Sequence, residues 1–384
     1  MTYITKTLVP VMFSFFIMGY VDIVGIATNY IRQDLNLPNS VANFLPLTIF
    51  IWFAILAIPT GALMNRIGRK KTVITSNIFT FFGLLIPFLS YNFNTFIIAF
   101  SLLGIGNTML QVSLNPLVSD IVNTKKLTSM LTLGQFIKAT AAFITPIISA
   151  WLSLKYGLWT YILPIYATIV IIVTFWLFYT SINEKESITD NRQVHQIFKL
   201  FSDKTLILLF TGILLIVGID VGMNISVPNI LKDRCGFILE KASIGTSVYF
   251  AARTIGSLLG SIILMKATTE KIFFYSMLSA VIGFSLLLFS GFSEFTIYLF
   301  TIIIGLSCAN IFSIIFSLAI QHRPERANEI SGLMIMGVAG GGIFPFIMGI
   351  LIDNWGLEAG LYVILLCCIL IFAMSFKFLL STLK

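Results

Sequence analysis

The sequence predicts an all-α membrane protein of twelve transmembrane helices in two pseudo-symmetric six-helix halves. Composition is the first ground: 58% of the 384 residues are hydrophobic, 10% are charged and 36 are Phe. Mean hydropathy is +0.98, whereas a soluble domain carries about 25% charged residues. That excludes a soluble enzyme, a secreted domain and a disordered chain. The second ground is run length: a helix needs about 20 apolar residues to cross the hydrocarbon core, and a barrel strand about 10 alternating ones. The runs here are long and continuous. The third is their arrangement, six on each side of a single polar stretch.

The first half holds spans at about 7–30, 41–64, 73–91, 93–118, 128–152 and 158–181, and the second at about 205–230, 241–265, 271–290, 293–320, 327–352 and 358–380. The first run opens at Leu8 and continues past signal-peptide length with no small-residue cleavage site. Basic residues punctuate the series: Lys6 before span 1, Arg32 after it, and Arg66, Arg69, Lys70 and Lys71 after span 2. Lys125 and Lys126 precede span 5, and Lys155 follows it. In the second half Lys232, Arg234 and Lys241 separate spans 7 and 8, Lys266 and Lys271 spans 8 and 9, and Arg323 and Arg326 spans 10 and 11.

Ser181 to Lys204 is the long polar stretch, in which Val194, Ile197, Phe198 and Phe201 recur at helical spacing. It predicts a short amphipathic helix on the membrane surface. The expected organisation is therefore a bundle at 1–182, a cytoplasmic linker at 183–204 and a bundle at 205–384. With both termini inside, seventeen of the 24 Lys and Arg lie on the cytoplasmic side. Five (Arg32, Lys155, Lys232, Arg234 and Lys241) lie outside, and Lys138 and Arg253 fall within spans. That asymmetry orients the chain. The four cysteines have no ligand spacing, so neither a disulfide framework nor a metal site is expected, and no cofactor.

The halves repeat weakly. Asn29-Tyr-Ile-Arg32 answers Asn229-Ile-Leu-Lys232, each preceded by an aspartate, Asp22 and Asp220. Thr145-Pro146 in span 5 answers Phe344-Pro345 in span 11. Parallel halves around a midplane site are the architecture of rocking transporters.

Gly61-Ala-Leu-Met-Asn65-Arg66-Ile-Gly68-Arg69-Lys-Lys71 follows span 2. It resembles the loop signature of the major facilitator superfamily, with Asn65 where the superfamily usually has Asp. Gly61 is expected to let helices approach closely and Gly68 to permit a tight turn. Arg66 and Arg69 are expected to pair with carboxylates or helix ends across the contact between halves. These five residues form the expected gating motif.

Phe15-Phe16-Ile-Met-Gly19-Tyr-Val-Asp22, Gly104 through Gln111 to Asn115-Pro116, and Leu133-Gly-Gln135 are similar to the fucose/glucose/galactose permease branch of that superfamily, the fucose–galactose–glucose:H+ symporters. So are Ser331-Gly332, Gly340 to Pro345, and Gly349-Ile-Leu-Ile-Asp353. The resemblance implies a major facilitator fold and proton-coupled import of a neutral hexose or deoxyhexose across a bacterial inner membrane. There are two departures. Lys138 stands near a place where the branch usually has Asn, and Gln111 is neutral where fucose permeases carry Glu.

Four charged groups lie well inside spans: Asp22, Lys138, Asp220 and Arg253. A charge at the bilayer centre costs about 2.5–3.5 kcal/mol even on insertion scales, so it faces a cavity or a partner. Gln111 with Asn115, Gln135 with Lys138, and Asp220 with Asn224 pair on helix faces at three or four residues' spacing. Expected substrate ligands are Gln111, Asn115, Gln135, Lys138, Asn29, Asn224 and Asn310. Asp22 and Asp220 are the expected proton-coupling groups, with Asp22 and Lys138 expected to pair in the empty carrier. Arg253 reads as structural or gating. His195 and His322 fall in loops, and no Ser-His-Asp set or nucleotide fingerprint is present. Expected partners are a small sugar, a proton and membrane lipid, with no nucleic acid, for a monomer. The rival reading is a proton-driven small-molecule or multidrug exporter of the same fold.

Overall fold

The computed structural model describes residues 3–122, 124–184, 200–264, 268–289, 293–323 and 326–382. The expected amphipathic helix in the linker falls mostly outside them, as does the side chain of Asn65. Among the described residues, twelve long helices run between two ends. In the first half they are α1 (Thr7–Asp34), α2 (Asn39–Met64), α3 (Arg69–Phe88), α4 (Phe93–Ile121), α5 (Thr124–Tyr156) and α6 (Trp159–Tyr179). In the second they are α7 (Lys204–Cys235), α8 (Leu239–Leu264), α9 (Thr269–Leu288), α10 (Glu294–His322), α11 (Ile330–Trp355) and α12 (Leu357–Leu380).

Among the described residues, eleven are long and apolar enough to cross a membrane. The exception, α8, has 26 residues; at about 1.5 Å per residue it outreaches a hydrocarbon core of about 30 Å. The chain is an all-α, multi-pass membrane protein.

Two apolar cores form, one drawn mainly from each half. One gathers Phe15, Tyr20, Phe53, Phe96, Phe100 and Tyr166, with Tyr20 stacked on Tyr166 at 3.8 Å between ring centroids. The other gathers Met223, Tyr249, Phe273, Phe284 and Cys368. Long helix ends are closed by local caps: Asp203 accepts from the N–H groups of Thr205 and Leu206 at the start of α7, and Gly236 ends it at φ 67°.

Three helices break at mid-depth. A 3-10 turn at Gly19–Asp22 interrupts α1, another at Gly337–Ala339 interrupts α11, and α10 breaks between Cys308 and Ile311. Freed backbone groups need new partners in a membrane, so such breaks occur where protein or a cavity supplies them.

The start of α1 and the end of α6 share one end of the bundle, where the Phe13 and Trp176 rings lie 5.9 Å apart. We call this the linker end and its opposite the far end. Bonds between halves gather at the far end. Asn229 donates to Asn29 Oδ1 at 2.9 Å, Arg32 to Asn229 Oδ1 at 2.8 Å, Lys232 to Gln33 at 3.2 Å, and Ser153 to Glu240 at 2.8 Å.

At the linker end, Gly68 makes the expected turn at φ 92°, and Glu184 accepts from the N–H groups of Arg69 and Lys70. Two expectations for this loop are corrected. Arg69 pairs with Asp120 of α4, within its own half, because α3 packs directly on α4. A Cβ at Gly61 would meet no described atom within 4 Å, so no close helix contact forms there. Arg66 is exposed.

Candidate functional site

The break in α1 organises the centre. Gly19 lies against α5, where a Cβ would stand 2.5 Å from Lys138 O and 2.7 Å from Ala141 Cβ. Only glycine allows that approach. Asn107 of α4 donates to Met18 O at 2.6 Å, and Asn224 of α7 donates to Asp22 O at 2.9 Å. Amides from both halves therefore take carbonyls at the two margins of the 3-10 turn. The turn is held, and with it the position of Asp22 between the halves.

The Asp22 carboxylate is half-buried and, among the described residues, makes no hydrogen bond or ion pair. Lys138 and Arg253 are the cations whose fields reach it. No ion pair within 4 Å joins Asp22 to Lys138, so the expected pairing is not formed in this conformation. Asp220 is treated differently. Arg253 lies 2.8 Å from its Oδ2, and Tyr249 donates to its Oδ1 at 2.7 Å. The fields of Asp22 and Lys138 also reach Asp220. Two carboxylates and two cations thus share the interface between the halves, with formal charges that cancel.

The amide face of α4 runs Asn107, Gln111, Asn115, each four residues from the next and so on one side of the helix. Asn107 is bonded to α1, and Gln111 donates to Asn107 Oδ1 at 3.3 Å. Asn115, one turn further toward the linker end, is exposed although it points the same way. The exposure of that side of α4 therefore increases toward the linker end. Gln135 is exposed and Lys138 half-buried on α5, beside Gly134, which packs on Phe15 of α1.

Three expected ligands are placed elsewhere. Asn29 and Asn224 are buried and bonded across the halves, Asn29 to Ile225 O at 3.1 Å. Asn310 donates to Gly256 O at 2.8 Å, tying the α10 break to α8. Each donates its amide N–H to a backbone carbonyl. Asn107 and Tyr249 were not singled out by sequence, although each stands four residues before a group that was, Gln111 and Arg253. Among the described residues, no group of three His, Cys, Asp or Glu side chains could hold a metal ion.

Two apolar bundles joined at one end, with broken helices and buried charges where they meet, define an alternating-access membrane carrier. The chain belongs to the Major Facilitator Superfamily, whose profile matches residues 8–338; this is a class of transport proteins, not enzymes. It is similar to a glucose/galactose transporter of Brucella abortus, 24% identical over 373 residues, 92% of this chain and 89% of that one. The fold is also similar to that of the D-xylose–proton symporter, with a TM-score of 0.81 and 14% identity over 98% of both chains. The E. coli fucose:proton symporter aligns with a TM-score of 0.68 and 17% identity, over 98% of both chains.

Proposed function

We propose that this protein imports a neutral monosaccharide by proton symport across a bacterial inner membrane. The linker and both termini face the cytoplasm, and the unit of transport is the monomer. The observation that carries the reading is the unbonded carboxylate of Asp22, fixed at the α1 break beside the amide face of α4. A carboxylate without a partner is free to take up a proton. Amides offer both donor and acceptor to sugar hydroxyls, which assigns Gln111, Asn115 and Gln135 to the sugar. Relatives named for glucose and galactose, and fold neighbours named for xylose and fucose, support the substrate class.

The test is uptake into proteoliposomes of labelled glucose, galactose, fucose and xylose under an imposed inward proton gradient. Accumulation of at least one sugar, abolished by a protonophore, is the expected result. Accumulation of none, or gradient-driven movement in the export direction only, overturns the reading.

A further inference from the structure

The loop after α2 and the turn after α11 share one spacing. Gly61, Asn65 and Gly68 stand four and then three residues apart, and so do Gly349, Asp353 and Gly356. The backbones agree as well: Gly68 has φ 92°, ψ 161°, and Gly356 has φ 84°, ψ 174°. Each glycine ends one spanning helix just before the next begins, at Arg69 and at Leu357. These two ends lie on opposite faces of the bundle, the relation that inverted three-helix repeats within each half produce.

The copies differ in chemistry. At the linker end the position holds neutral Asn65, and space around Gly61 is open. At the far end Asp353 Oδ1 accepts from Asn39 N at 2.7 Å and from Asn39 Nδ2 at 2.9 Å, while Oδ2 accepts from Ser40 N at 2.6 Å. A Cβ at Gly349 would stand 2.6 Å from Asn39 O, so α11 rests directly on α2. Asn39 also accepts from Arg32, which reaches Asn229. The first N–H groups of a helix lack intrahelical acceptors, and Pro38, at the capping position of α2, offers no side-chain bond. The cap of α2 therefore comes from the other half of the molecule.

We propose that Asp353 is the far-end gate residue: its carboxylate caps α2 and holds the far end shut, while the matching linker-end position is the neutral Asn65 and offers no equivalent carboxylate. The proposal rests on the alternating-access reading above. Opening the far end strips α2 of its cap, so the resting carrier favours the far-end-closed state. Asp353 acts through α2 and touches no sugar; it is a positioning residue.

The test places Asn43→Cys, buried against Gly349 in this state, in a Cys235→Ser background and measures labelling by a membrane-impermeant maleimide from the far end. Asp353→Ala is expected to raise the labelling rate by roughly two- to thirtyfold, the span set by loss of a helix cap. Pro38→Ser gives α2 a cap from its own half, so it is expected to raise labelling without weakening the helix. Asn65→Asp, which supplies the missing linker-end carboxylate, is expected to raise it too. In uptake, Asp353→Ala is expected to lower KM, since more carriers present an open far end; a merely structural role lowers the maximal rate alone. Unchanged labelling in both Asp353→Ala and Pro38→Ser, in protein that elutes as wild type, overturns the proposal. Labelling needs no sugar, so if the wild type moves none of the sugars tested, the transport reading fails and the gate is still decided.

Discussion

Asp22 lies on a broken helix with an unbonded carboxylate, whereas Asp220, near the matching place in α7, sits on an unbroken helix held by Arg253 and Tyr249. Each half carries an aspartate at mid-depth, two residues out of the Asn29–Asn229 register, and their surroundings differ. Leaving a buried charge without its partner costs about 3–5 kcal/mol, so Asp220 depends on Arg253 for its place in the fold. Asp22, of the same intermediate burial, has no such partner among the described residues. On the proposed reading one carboxylate is held in place and the other takes up the proton, so two mid-depth aspartates differ in role through their neighbours.

The largest effect is expected at Asp22. Asp22→Asn is expected to abolish accumulation of sugar against a gradient while retaining counterflow exchange, because exchange needs no net proton movement. Undiminished accumulation in this variant breaks the comparison and makes Asp220 the next candidate.

Next comes Arg253. Arg253→Leu leaves the Asp220 carboxylate unpaired and is expected to cost about 3–5 kcal/mol of stability in denaturant unfolding. Adding Asp220→Asn is expected to restore most of it. If the double variant is no more stable than the single one, the pair is not what Arg253 serves.

The smallest effect is expected at Tyr249. Tyr249→Phe removes one hydrogen bond to a charged group and is expected to cost about 1.5–3 kcal/mol, with the proton-to-sugar ratio unchanged. A changed ratio, measured by flux and pH electrode together, would assign Asp220 to coupling and dissolve the division of roles.

Much of this fold is legible in the sequence, because bilayer thickness and the cost of exposed charge act on composition directly. The spans and the four mid-depth charges follow from that. What sequence does not carry is which neighbour each polar group meets. Asn29 and Asn224 carry the same amide as Asn115, yet they bond across the halves while Asn115 stays open. Helical spacing gives a residue's face but not the helix opposite. Gly61 has the spacing of a packing glycine, and its contact is absent because helix approach depends on which end of the bundle is closed. Arg69 found Asp120 in its own half, since pairing follows three-dimensional packing and not the order of motifs.

The far-end part of α1 has a consequence in time. Every residue from Ile23 to Ile31 is buried, and the groups that bond Asn29, Ile225 O and Asn229, lie 196 and 200 residues later in the chain. At synthesis rates of about 5–20 residues per second, roughly 10–40 s separate this segment from its partners. Throughout that interval the Asn29 amide has only water, headgroups or the insertion machinery to bond. The polarity this segment tolerates is therefore set by what the nascent chain survives as well as by what the finished carrier needs.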